Sequence, residues 1–393
     1  MDPVTNPYSP GAGTPPPALT GRDELIERVR VVTERVRRRN STKSVLMVGL
    51  RGVGKTVLLD TTRTNAENAG IHTLRIEAPE DRSLPAMLAP ELRRSLIRLS
   101  HVEKAKDLAE RALRGLAGFA KVFKLQYTDI EVGLDLEALP GLADNGDLQT
   151  DLQALLTAAG EAALKADTAL AIFVDELQYV AEDQLAALIT ALHGAAQQRL
   201  PVVLIGAGLP QLRAATGQAK SYAERLFEFP EVGPLDELAA RQAISRPAKT
   251  AGVDYTEAAL DRIMEKTRGY PYFIQEWGKH CWDVARSSPI TLEDVDKASR
   301  ATVAALDASF FRVRFDRLSP GEKRYLRAMA ELGVGPHRSG DISEALNRQV
   351  TALGPTRSSL IKKGMIWSPS HGDTAFTVPL FDEFMRRMIP EFE

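Results

Sequence analysis

The chain has 393 residues, 44% hydrophobic and 26% charged, a balance that excludes global disorder and leaves room for two or three domains at roughly 150 residues each. Fifty basic residues against 52 acidic ones give a formal charge of −2, so any polyanion binding must come from a local patch. A single cysteine excludes an internal disulfide and a thiolate-rich zinc site, and no apolar run approaches the ~18 residues that span a bilayer.

Residues 1–19 carry Pro3, Pro7, Pro10, Pro15, Pro16 and Pro17 and are expected to lie extended. The start has no basic then apolar leader, which predicts a cytoplasmic protein without a membrane partner. From Thr20 a helical pattern places Leu25, Val29, Val32 and Val36 on one face. Ser44–Val48 (SVLMV) is a continuous apolar run, the form of a strand buried on both faces. A glycine-rich turn follows, then a helix from Thr56. A strand is predicted at residues 71–76 and helix at 84–115. Phe123, Leu125, Tyr127, Ile130, Val132, Leu134 and Leu136 then alternate, which predicts a pair of inserted strands. Residues 141–147 read as a loop and 148–164 as a helix. Residues 169–174 (ALAIFV) form a second buried strand ending at acidic residues. Residues 184–198 are helical, and residues 202–205 are a strand broken by Gly206-Ala207-Gly208.

Strands alternating with helices predict an α/β fold with a doubly wound parallel sheet. From Asp236 onward only helices are expected, at 237–249, 258–268 and 272–284, forming a lid. A further helix over 292–317 leads to a last unit, which opens with the capping sequence Ser319-Pro320-Gly321-Glu322. The expected organisation is a Pro-rich arm (1–19), a phosphate-binding core (20–234, with inserted helices and a hairpin about 84–147), a helical lid and linker (235–317) and a winged helix (318–393).

Residues 49–56 read GLRGVGKT and match GxxxxGK(S/T) in full, between a strand and a helix as that motif requires. Glycine lets successive backbone N–H groups of Gly49, Leu50, Arg51, Gly52, Val53 and Gly54 turn inward around phosphates, and the helix N-terminus adds positive potential. Lys55 would reach the β- and γ-phosphates, and the Thr56 hydroxyl would ligate Mg²⁺. After the apolar run 169–174 come Asp175 and Glu176. Asp175 is placed to hold Mg²⁺ opposite Thr56, and Glu176 to orient and deprotonate the attacking water. Alone, such a pair is also how a strand ends in solvated charge; the phosphate loop upstream selects the functional reading. Gln178 faces the γ-phosphate or caps the following turn.

These residues resemble the AAA+ and STAND superfamilies of P-loop ATPases, above all the origin-recognition-type AAA domains and the archaeal-type ATPases. The resemblance runs from Leu19 to about Pro390 and implies ATP as the nucleotide; no NKxD-type guanine-reading motif is present. In these families a Gly-Arg-acidic motif lies beside the adenine, which implies that role for Gly21 and Arg22; an ordinary amphipathic helix start is the alternative. The sensor strand of AAA+ members ends in a polar residue on the γ-phosphate, where this chain has Gly206-Ala207-Gly208. Residues 221–227 resemble the segment with the arginine finger, implying that Arg225 serves a neighbouring subunit in a homo-oligomer, or else pairs with Glu224 or Glu228. Gly269-Tyr270-Pro271 resembles the GxP motif that closes over the base, implicating Gly269 and Pro271; a helix-breaking turn explains it equally.

In the last unit a third helix opening at Gly354-Pro355 would face Leu353, Leu360 and Ile361 inward and Arg357, Ser358 and Lys362 outward, followed by wing strands at 365–367 and 375–378. Such a helix enters a DNA major groove in other proteins, so Arg357, Lys362 and Lys363 are candidate contacts to duplex DNA, with a protein partner as the alternative. Six scattered histidines lack metal-ligand spacing. Two functional expectations follow. One is a Mg²⁺-dependent ATPase acting as a nucleotide-controlled switch between ATP and ADP. The other is an ATP-loaded regulatory adaptor that hydrolyses slowly or not at all.

Overall fold

Four runs rich in aliphatic and β-branched residues, β1 (Ser44–Val48), β2 (His72–Glu77), β3 (Leu170–Asp175) and β4 (Val202–Gly208), pair together with the short β5 (Phe227–Glu228). They form one sheet in the order β2-β3-β4-β1-β5, with every neighbouring pair parallel. All residues of β1, β3 and β4 are buried, which is why these strands read as unbroken apolar runs. The chain leaves β1 towards β2 and leaves β4 towards β5, in opposite directions across the sheet. A reversal of this kind places the ligand crevice of open α/β sheets at the carboxyl ends of the strands.

The computed structural model describes residues 1–11, 13–79, 82–125 and 137–392. Contacts divide the chain into a sheet unit, Arg22–Val48 with Lys55–Glu231, and a helical unit, Met1–Gly21 with Gly49–Gly54 and Val232–Glu393. Around the strands of the sheet unit lie α1 (Asp23–Arg37), α2 (Lys55–Asn68), α3 (Leu84–Ser100), α4 (Lys106–Val122), α5 (Leu148–Lys165), α6 (Glu182–Gln197), α7 (Leu212–Ala219) and α8 (Ala223–Leu226). In α1, Val29, Val32 and Val36 are buried, while Asp23 and Glu24 begin the helix and Arg35 and Arg37 end it. That order of charges suits the helix dipole.

Two expectations in this unit are corrected. Residues 123–125 do not begin a strand. The Phe123 and Leu125 N–H groups donate to the carbonyls of Phe119 and Ala120 at 3.0 Å each, and Lys124 takes φ +50°. This is a helix closed by a left-handed residue. The alternation from Tyr127 to Leu136 lies outside the described residues. Strand β4 does not stop at Ile205 but runs through Gly208. A Cβ at Gly206 would sit 2.6 Å from a methyl of Leu46, so the glycine admits a close crossing.

The helical unit contains α9 (Glu237–Thr250), α10 (Glu257–Thr267), α11 (Pro271–Val284), α12 (Leu292–Leu306), α13 (Arg312–Asp316), α14 (Pro320–Glu331), α15 (Ser339–Ala345), α16 (Val350–Lys362) and α17 (Phe381–Met388). The expected single helix over 292–317 is interrupted by a π-helical turn, Asp307–Phe311. That turn presents Phe310 towards Phe273, at 5.8 Å between ring centres, and Phe311 towards Phe384, at 5.2 Å. One aromatic core therefore joins α11 to α17. Strands β6 (His337–Arg338), β7 (Ile366–Trp367) and β8 (Asp373–Phe376) make a small sheet in the order β6-β8-β7. Both ladders are antiparallel. The third helix of this module starts at Val350 and carries Pro355 inside it, so Gly354-Pro355 does not open it. The proline-rich start is anchored by Tyr8, 3% exposed, whose hydroxyl donates to the Ile244 carbonyl.

Candidate nucleotide site

The phosphate loop leaves β1 at Gly49 and enters α2 at Lys55. Gly52 and Gly54 take φ of +79° and +89°, conformations open to glycine and strained for other residues. With the helical unit, the loop carbonyl of Gly52 accepts from Tyr272 N–H at 3.1 Å, and Arg51 N–H donates to the Thr377 carbonyl at 3.0 Å. Pro271 is the first residue of α11, so the turn at residues 269–271 sets a helix N-terminus beside Gly52. Gly269 takes φ +74°, and a Cβ there would lie 2.5 Å from the Leu235 carbonyl oxygen. A Cβ at Gly21 would lie 2.6 Å from Ala239 and 3.4 Å from Leu235. Gly21 and Gly269 thus both pack against Leu235. Arg22 precedes α1 without a side-chain cap.

In the sheet unit the structure brings Lys55, Thr56, Asp175 and Glu176 together. Lys55 and Asp175 are 8% and 7% exposed. Asp175 ends β3, two strands from β1, and Thr56 Oγ1 donates to its Oδ2 at 2.6 Å. The Glu176 N–H donates to Oδ1 of the same carboxylate at 2.8 Å. Burial pushes the Asp175 pKa above the usual carboxylate value, helped by the Glu176 charge and opposed by the Thr56 hydroxyl, the Glu176 N–H and the Lys55 charge. A buried carboxylate beside a hydroxyl is a hard-oxygen pair of the kind that suits Mg²⁺. Thr56 and Asp175 also line a cavity of about 20 Å³, room for one water. Among the described residues no cluster of three or more His, Cys, Asp or Glu could hold a metal by itself.

Glu176 follows with φ +51°, a left-handed backbone rare outside glycine and frequent at functional positions. Arg225 is not brought to this cluster. It precedes Phe227, which pairs with Ser44, at the end of β1 remote from the phosphate loop, and it is exposed. Glu228 pairs instead with Arg28, at 3.5 Å. Two of the three proposed DNA contacts are half-buried and engaged within the module, which corrects the outward placement of Arg357. Its Nε donates to Thr374 Oγ1 and its Nη2 to Ser368 Oγ and the Asp373 carbonyl, each at 2.9 Å. Lys363 Nζ pairs with Glu322 Oε2 at 2.7 Å, while Lys362 is exposed. Sequence reasoning left open what Gln178 touches, and the structure joins it to Glu176 Oε2 and to Leu209 N–H.

The family model of the AAA ATPase domain matches residues 18–205, and a domain of unknown function (DUF8462) matches residues 308–385. No curated protein matches the sequence. Among solved structures, the Walker-type ATPase PABY2304 of Pyrococcus abyssi is similar at TM-score 0.58 and 17% identity, over 94% of this chain and 96% of that one. The Aeropyrum pernix ORC1 protein in complex with DNA aligns at TM-score 0.46 and 16% identity, over 95% and 94%. The Thermotoga maritima RuvB Holliday junction branch migration motor aligns at 0.42 and 16%, over 91% and 92%. The first of these likenesses supports the fold. No described helix is long and apolar enough to cross a membrane.

Proposed function

We propose that this chain, whose residues 18–205 match the AAA ATPase domain, is a Mg²⁺-dependent ATPase of the AAA+ P-loop kind whose working residues are the loop 49–54, Lys55, Thr56, Asp175 and Glu176. The single observation that carries this reading is the 2.6 Å contact of Thr56 with Asp175, across 119 residues of sequence. It brings the last residue of the phosphate motif against the end of the acidic strand. Loop N–H groups and the Lys55 ammonium bind the β- and γ-phosphates. Thr56 and Asp175 hold Mg²⁺, which when bound offsets phosphate charge. Glu176 accepts the proton of the attacking water. Gly21, Arg22, Gly269 and Pro271 border the base, and Arg225 serves the site of a second copy.

Gly206-Ala207-Gly208 at the end of β4 offers no polar side chain to the γ-phosphate, which favours slow turnover. Phosphate release and equilibrium nucleotide binding test the reading. Lys55→Ala should abolish binding, and Glu176→Gln should retain binding while turnover falls by a factor on the order of 100 or more. Intact ATP binding in Lys55→Ala would refute the assignment.

For the C-terminal module, the helices α14, α15 and α16 with the β7–β8 hairpin support a winged helix. The internal contacts of Arg357 and Lys363 favour a protein partner over duplex DNA. Anisotropy with duplex DNA across a salt series decides: affinity that falls steeply with salt and is lost in Lys362→Ala would restore the DNA reading.

A further inference from the structure

We propose that Gln178 is a positioning residue for Glu176, tying its carboxylate to the carboxyl end of β4; the inference rests on the ATPase reading above. The Leu209 N–H can only donate, and it donates to Gln178 Oε1 at 3.0 Å. That fixes the amide, because its other end must then be the donor. Gln178 Nε2 accordingly donates to Glu176 Oε2. Glu176 is therefore held at two points. Its backbone is fixed in the left-handed region by Asp175 Oδ1 on its N–H and by the Tyr179 N–H on its carbonyl, at 2.8 and 3.0 Å. Its side chain is fixed by Gln178.

The end of β4 is shaped for this bridge. A Cβ at Gly208 would lie 2.6 Å from Gln178 Oε1, so the glycine keeps open the lane along which the amide reaches Leu209. The absence of a polar side chain on Gly206-Ala207-Gly208 and the presence of Gln178 are thus two halves of one arrangement. The polar link between β4 and the base is supplied from the β3 side. A side chain two residues from Glu176, anchored just past the end of a neighbouring strand, thus fixes one carboxylate oxygen.

The test is a double-mutant cycle on the full chain, reading kcat by phosphate release and nucleotide Kd by equilibrium titration. Gln178→Met keeps the volume and removes both hydrogen bonds. It should lower kcat about tenfold, a fraction of what a general base supplies, with Kd changed by less than about twofold. Gln178→Glu keeps an acceptor for Leu209 but sets a like charge against Glu176, and should lower kcat further. In a Glu176→Gln background Gln178→Met should have no added effect, since it acts through the missing carboxylate. An equal loss in both backgrounds, a Kd that moves with kcat, or wild-type kcat in Gln178→Met would overturn the proposal. If Glu176→Gln itself turns over like wild type, the base assignment fails and Gln178 falls with it. If Glu176→Gln stops turnover but the cycle is additive, only the role of Gln178 is lost.

Discussion

Two carboxylates are almost equally buried in this protein, Asp175 at 7% exposure in the sheet unit and Glu322 at 4% in the helical unit, and their surroundings treat them in opposite ways. Glu322 accepts from Ser319 N–H, Ser359 Oγ and Lys363 Nζ, each at 2.7 Å. Burial pushes its pKa up, but the Lys363 ammonium and the Ser319 and Ser359 donors hold it down at about 2. Asp175 accepts from one hydroxyl and one backbone N–H, and burial prevails, raising its pKa. Glu322 is the carboxylate of a helix cap and is finished by the fold. At Asp175 burial outweighs the Thr56 hydroxyl, the Glu176 N–H and the Lys55 charge, so its ionised form costs the fold something that a bound cation would offset.

Substitutions can break this contrast. The largest expected effect is in Glu322→Ala, which strands Lys363 and the Ser319 N–H and should cost about 3 kcal/mol by the cost of unmade buried bonds to charged groups, read as a lowered denaturant midpoint. A loss under about 1 kcal/mol would show that the cap is not compensated as described. A similar amount should appear on acidification. The folded pKa of Glu322 lies below the free value of 4.5, so its contribution is complete above about pH 4.5 and drains away as pH falls towards 2. The shift corresponds to about 3 kcal/mol at 1.36 kcal/mol per unit. Unfolding curves of wild type and Glu322→Gln should lie closer together at pH 3 than at pH 7 and meet only as the pH reaches about 2.

Asp175→Asn should go the other way. Its raised pKa means that ionisation opposes folding as pH rises, so neutralising it should leave the nucleotide-free protein at least as stable as the wild type. Metal-dependent nucleotide binding should nevertheless be lost. Destabilisation of the nucleotide-free protein by Asp175→Asn would contradict the comparison. The smallest effect is expected from Gly208→Ala, whose methyl meets Gln178. It should cost roughly 1 kcal/mol or less in stability while slowing phosphate release, and unchanged turnover would show that the amide can move aside.

Much of the site was legible in the sequence because its chemistry is local. The glycines with Lys55 and Thr56 lie within eight consecutive residues, and the Ser319–Glu322 capping box spans four. Misreadings arose where a local signal met a distant neighbour. Glycines at 206 and 208 look like strand breakers until Leu46 and Gln178 are seen crossing them. Phe123 and Leu125 look like alternating strand residues until the chain before them is seen to be a helix that needs closing. Arg357 looks solvated until the hairpin at Ser368 and Asp373 folds over it.

The amino-acid order therefore settled the alternation of strands and helices, the glycine-rich turn between β1 and α2 and the acidic strand end, since backbone preference and burial pattern are properties of short segments. Tertiary structure alone decided that β3 stands two places from β1, that Thr56 meets Asp175 and that Gln178 reaches β4. These depend on strand pairings between segments more than a hundred residues apart or on side chains meeting across the sheet, and no local pattern encodes which partner a buried strand will choose.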